Sequence, residues 1–218
     1  MRRVVVYGAS GQARSIADFV IGRDGERFVA YIDDFAEPGL IVDDCPVLSM
    51  AEYCASYLDA DVMLGTGSPP GKRQMAARID AAGGHFREGG LDRNARLGRD
   101  SSLGLGTYLG FGTYVGPGTA IGNHVSVMTN CSIGHDTAIG HFSTVCPSAT
   151  VSGNVVLEDG VFVGAGAVVV NGARNRPLVI GANTMIAAGA VVTKSLPAGS
   201  RVVGNPARPI RDLVKSLR

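Results

Sequence analysis

Two short stretches of this chain combine residue types and spacing that could move a proton or hold an anion. Of its four histidines, one is followed directly by a carboxylate, in Gly134-His135-Asp136. Imidazole titrates at about 6.5, near neutrality, and an adjacent carboxylate can fix its tautomer and stabilise the cation it becomes. Such a pair suits proton transfer, although a solvent-exposed histidine accounts for the same residues. A second feature is Gly8-Ala9-Ser10-Gly11, directly after Val4-Val5-Val6-Tyr7, with Asp33-Asp34 further on. Free N–H groups where such a turn opens a helix can bind a phosphate, and Asp33 lies at about the distance needed to meet a ribose hydroxyl. Arg14 stands where the third glycine of a dinucleotide fingerprint is expected, so a nicotinamide site is the weaker reading. A nucleotide-recognition module without redox chemistry fits better, and glycines serving only the turn remain the plain alternative. Cys45, Cys54, Cys131 and Cys146 show no CxxC spacing, and no residues have convincing metal-ligand spacing.

Composition bounds what surrounds these groups. The 218 residues allow two modest domains, and 45% hydrophobic content can bury a core. A formal charge of +1 gives no sign of nucleic acid or a charged membrane as partner. The glycine count of 31 without low complexity implies many tight corners. The opening apolar run is too short for a signal peptide or a membrane span. With no disulfide framework, the expected location is the cytoplasm.

The dominant pattern is a period of six. From Leu97 every sixth residue through Val169 is a branched aliphatic, including Val115, Ile133 and Val151, and Leu91 extends the series backward. The next position is often glycine, and the fifth is small or β-branched, as in Thr107, Thr113 and Thr119. Six suits neither a helix nor a simple strand. It suits a short strand and a corner, three of which make a coil of eighteen residues. Each aliphatic then stacks on its equivalent about 4.8 Å along the axis, and each coil buries its inner face only against its neighbours. The phase breaks at Arg174 to Val179, where Asn175-Arg176-Pro177 predicts a protruding loop, and resumes at Ile180, Ile186 and Val192. His124 and His141 fall at corner-like positions and read as solvent-exposed corner histidines; His85, in the linker, reads as structural. Cys131 and Cys146 read as small core or corner residues. Tyr108 and Tyr114 share the sixth position of consecutive hexads, as an outward pair or as scattered surface.

The first 85 residues read differently. Strands are expected at 4–7, 28–32 and 61–65, and helices at 12–21 and 72–82. Strands alternating with helices imply a small parallel sheet. The fold class is therefore α/β plus all-β: a Rossmann-like unit over 1–85, a parallel β-helix over 86–205, and a helical tail over 206–218.

The pairing of GASG near residue 8 and IDD near residue 32 with a hexapeptide β-helix resembles the bacterial sugar acyltransferases. These include the sialic-acid O-acetyltransferase and nucleotide-amino-sugar N-acetyltransferase types. The likeness covers nearly the whole chain, including Gly134-His135-Asp136 and Val203-Gly204-Asn205-Pro206-Ala207. The resemblance implies a left-handed coil, a homotrimer with sites between adjacent prisms, and acetyl-CoA as co-substrate without a metal. It implies His135 as general base, Asp136 orienting it, and the Gly153 N–H on the thioester carbonyl, with Thr144 and Ala165 also at the acetyl-CoA site. It implies Gly8, Ser10, Gly11, Gln12, Asp33, Asp34 and Arg73 at the nucleotide sugar. Members commonly carry His where this chain has Gln12, many carry Asn at Met128, and a second His often stands at Thr144.

Ideal coil geometry agrees with this assignment. His135 and Gly153 differ by eighteen, so a base and a backbone donor share one corner in successive coils. Acyl transfer needs both, one on the nucleophile and one for the developing oxyanion. The expected activity is acetyl transfer from acetyl-CoA to the amino group of a nucleotide-linked amino sugar by direct attack. The alternatives are O-acetylation of sialic acid or a related sugar, and a non-catalytic nucleotide-sugar-binding trimer.

Overall fold

The computed structural model describes residues 1–21 and 25–211. Two compact units divide between Glu88 and Gly89, a few residues beyond the expected boundary. The first unit is an open six-stranded sheet. Its strands are β1 (Arg2–Tyr7), β2 (Glu26–Ile32), β3 (Ile41–Val42), β4 (Cys45–Leu48), β5 (Asp61–Leu64) and β6 (His85–Phe86). They lie in the order β3-β4-β2-β1-β5-β6, parallel except for the β3–β4 hairpin. Val4, Val5 and Val6 of the central β1 are fully buried, as an unbroken apolar run in a parallel strand should be.

Three described helices join these strands: α1 (Gly11–Ile21), α2 (Met50–Ser56) and α3 (Pro69–Ala82). The apolar face of α1 buries Ala13, Ile16, Ala17, Phe19 and Val20. The helix α2 is absent from the sequence expectations, yet Ser49 and Glu52 close a reciprocal capping box there. The α3 helix starts before the expected Lys72 because Ser68 caps it and Pro69 fills the first position. Arg14, which breaks the dinucleotide pattern, grips Asp43 with two bonds of 2.6 and 2.7 Å. It thereby ties α1 to the hairpin turn.

The second unit is a β-helix of three parallel sheets. Equivalent strands pair eighteen residues apart, as in Tyr114↔Ser132 and Val115↔Ile133. The six-residue aliphatics from Leu109 onward form one buried cluster. Glycine follows the aliphatic because a Cβ on Gly98, Gly116 or Gly134 would run into the backbone of the next coil. The left-handed backbone falls elsewhere, at the fourth position: Gly118 has φ +67° and Asp136 φ +51°. The fifth-position hydroxyls bridge coils. Thr107 Oγ1 donates to Gly122 O at 2.6 Å and accepts from Val125 N–H at 2.9 Å.

At the phase break, Leu157 pairs with Ile180, so that coil holds twenty-three residues. Ala173 and Arg176 bridge in an antiparallel protrusion. The strand returns at Leu178, so Leu178 and Val179 are not loop. Within the expected helical tail, 206–207 is turn, Arg208–Pro209 is a strand antiparallel to Arg201–Val203, and Ile210 and Arg211 are helical. Its remainder, 212–218, lies outside the described residues.

Candidate active site

The corner between strands Ser132–Ile133 and Ala138–Ile139 presents His135. Its carbonyl accepts from Asn154 N–H at 3.0 Å, which locks the corner to the coil above. Because Asp136 takes the left-handed conformation that short polar residues tolerate, its carboxylate turns back on its neighbour. Oδ2 lies 2.7 Å from His135 Nδ1. An Nδ1–H held there leaves Nε2 with the lone pair. The ring lies over Gly153, where a Cβ would stand 2.7 Å from Nε2. The His135 side chain is 54% exposed. The Gly153 N–H donates to no acceptor among the described residues. One corner therefore brings together an oriented imidazole, a carboxylate bonded to it and a backbone N–H with no acceptor among the described residues. A shallow groove of about 560 Å³ runs over the adjoining sheet, across Ala120, Ala138 and Val156, with His141 and Asp159 along its margin.

The other two expected acetyl-CoA residues lie apart from this corner. Thr144 is fully buried in strand Thr144–Val145, so its side chain is closed to a ligand in the single chain. Ala165 is exposed on a different corner, before strand Val168–Val169, where its carbonyl accepts from Gly189 N–H. His141 is exposed at its corner and hydrogen-bonded to the neighbouring coils. Its Nδ1 accepts from Asn123 N–H at 2.9 Å, and its own N–H donates to Asp159 at 2.7 Å. Among the described residues, no three His, Cys, Asp or Glu side chains gather to hold a metal.

In the first unit, a cavity of about 280 Å³ opens at the carboxyl ends of β1, β2 and β5. The chain passes from β1 to β2 on one side and returns through α2 to β5 on the other side of β1, and such a switch point is where open α/β sheets bind ligands. Gly8, Ser10, Asp33 and Asp34 line the cavity, whereas Gly11, Gln12 and Arg73 do not. Gly8 needs its φ of +115° and packs against Gly65; Gly11 has open space where a Cβ would be. The cation of the lining is Arg78. Sequence reasoning missed it, although Gly71, Gln74, Met75 and Arg78 repeat at helical spacing on one face of α3. Arg73, five residues earlier, points well around the helix from that face.

Asp34 is heavily engaged. Its Oδ2 accepts from the Tyr7 hydroxyl at 2.7 Å and meets Arg78 Nη1 at 2.6 Å, while Oδ1 accepts from Met50 N–H at 3.3 Å. Burial alone would raise its carboxyl, but Tyr7, Met50 and Arg78 together hold it below the ordinary value. Burial, then the bond to Asp34, pushes the Tyr7 phenol upward. Asp33 accepts from Phe35 N–H at 3.0 Å in its own turn.

No protein-family model matches the sequence. Among curated proteins, the 2,3,4,5-tetrahydropyridine-2,6-dicarboxylate N-acetyltransferase of Staphylococcus aureus strain JH9 is 43% identical over 56 residues. That match spans 26% of this chain and only 21% of the relative. Among solved structures, PerB from Caulobacter crescentus, in complex with CoA and GDP-perosamine, superposes with a TM-score of 0.84. It covers 96% of this chain and 97% of that one at 23% identity, a likeness of fold. The acetyltransferase domain of PglB from Neisseria gonorrhoeae FA1090 gives 0.84 at 26% identity, over 96% of this chain and all of that one. WeeI from Acinetobacter baumannii AYE gives 0.87 at 30% identity, again over 96% of this chain and its own entire length. The sheets fit a left-handed β-helix, and with this full-length relative the chain belongs to the hexapeptide-repeat acyltransferase family.

Proposed function

We propose that the protein transfers acetyl from acetyl-CoA to the amino group of a nucleotide-linked amino sugar, as a cytoplasmic homotrimer. The β-helix takes acetyl-CoA, and a Rossmann-like first unit takes the nucleotide. The observation that carries this reading is the His135 imidazole, tied to Asp136 through Nδ1 and lying over Gly153. The names of the PglB domain and of the staphylococcal N-acetyltransferase support acetyl transfer, and the same fold seats CoA and GDP-perosamine in PerB.

In this mechanism the amine attacks the thioester carbonyl carbon while Nε2 of His135 takes a proton from the nitrogen. The Gly153 N–H meets the developing oxyanion. Collapse of the tetrahedral intermediate breaks the carbon–sulfur bond, and the proton passes to the sulfur, releasing the CoA thiol. Asp136 stabilises the imidazolium between those two transfers.

A thiol-release assay with acetyl-CoA against UDP-, GDP- and dTDP-linked amino sugars and free sialic acid tests the proposal. Release with one amino sugar is expected. Release with sialic acid alone would make the protein an O-acetyltransferase instead. His135→Ala should lower turnover by about 10² to 10⁴ with an unchanged circular-dichroism spectrum; unchanged turnover would remove His135 as the base.

A further inference from the structure

The carboxylate of Asp34 is engaged on both oxygens, by Tyr7 and Arg78 on Oδ2 and by Met50 on Oδ1. Through Oδ2 it holds the Arg78 guanidinium in place. That guanidinium lies 5.8 Å over the Tyr7 ring. Its side chain is still 49% exposed, and it is the cation lining the switch-point cavity. Arginine has five N–H donors in a rigid fork that matches phosphate oxygens. A fork already fixed on one side loses less side-chain freedom when it binds than a free one does. The cavity is also bordered by Gly8 to Ser10, just before α1, and by Thr66 and Gly71 at the start of α3. The starts of both helices thus add partial positive charge on the same side.

We propose that Arg78 binds the diphosphate of the nucleotide sugar and that Asp34 is a positioning residue acting through it. This rests on the nucleotide-sugar reading above and assigns the anion-binding role to a residue outside the expected set. At about 280 Å³ the cavity has room for part of a nucleotide sugar, and pockets for whole drug-sized ligands begin at about 300 Å³. A diphosphate at its cationic side leaves the sugar free to extend beyond it.

The test is calorimetric titration of the full chain with UDP, GDP and dTDP, and in parallel with uridine, guanosine and thymidine. The wild type should bind one diphosphate more tightly than its nucleoside. Arg78→Ala should weaken that diphosphate by about 10- to 100-fold, the range for a charge-assisted hydrogen bond, and leave the nucleoside unchanged. Arg78→Lys should recover part of the loss. Asp34→Asn, with Arg78 intact, should weaken the diphosphate by about tenfold. In turnover both Arg78→Ala and Asp34→Asn should raise KM for the sugar at constant kcat, with acetyl-CoA affinity unaltered. Equal losses for diphosphate and nucleoside would mean a collapsed pocket and overturn the assignment. So would full diphosphate affinity in Arg78→Ala. A wild type that binds none of the three diphosphates would instead sink the nucleotide-sugar reading itself.

Discussion

A methyl group on Gly153 would stand 2.7 Å from His135 Nε2 and 2.9 Å from Cε1. The imidazole therefore keeps its place only while residue 153 has no side chain. The backbone at Gly153 is not left-handed, so Gly153→Ala should fold and displace the ring. Misplacing a reacting group by about 1 Å can cost about 10²-fold, and kcat should fall by that order while the melting temperature holds. Full activity in Gly153→Ala would mean the ring does not act from its observed position. Cys131 takes a fifth-position place held elsewhere by threonine, with Sγ 3.1 Å from Cys146 O. Burial pushes its thiol up to about 11 from an ordinary value of 9.0. Because the fold favours the neutral thiol, its contribution is complete below the ordinary value and is lost as pH rises through about 11. Cys131→Thr should flatten the decline in denaturation midpoint over that alkaline window; an unaltered decline would assign it to other groups.

Between coils, the buried fifth-position hydroxyls satisfy backbone groups that the short strands leave over. Thr107→Val keeps the shape but strands Gly122 O and Val125 N–H, both of which use the hydroxyl. Leaving buried polar groups unsatisfied costs about 1–3 kcal/mol, to be read as a lower midpoint in urea. An unchanged midpoint would show that water replaces the hydroxyl. This scale also explains what was legible in the sequence. The six-residue phase exposed the inward aliphatics, and the spacing of eighteen placed His135 under Gly153, because coil stacking repeats without drift. Residue type alone did not mark the left-handed fourth position, since Asp136, Phe142 and Gly118 all hold it with unrelated side chains. The start of α3 at Pro69 was readable from Ser68-Pro69 and the existence of α2 from Ser49 and Glu52. Arg78 required knowing which face of α3 meets the cavity, and the burial of Thr144 required the packing of a whole sheet.

At the scale of the whole molecule, Tyr108 and Tyr114, read from the sequence as an outward pair or as scattered surface, differ in burial. Tyr108 is buried, while Tyr114 is exposed together with Phe111. Exposed aromatics that close in sequence suit contact with another copy. Light scattering should give a mass three times the 22.5 kDa of one chain, and Phe111→Lys combined with Tyr114→Lys should reduce it. A single-chain mass for the wild type would remove the trimer from the proposed function, and an intact trimer in the double variant would place the contact elsewhere. The regular stacking of coils also has a mechanical consequence. The bonds between coils run along the prism axis, so tension applied along that axis loads one coil boundary at a time. The β-helix should then yield in a sawtooth, each step releasing eighteen residues, or about 60 Å of chain. The coil of twenty-three residues should interrupt the series with one longer step of about 80 Å, a mark by which its place in the unravelling order could be read.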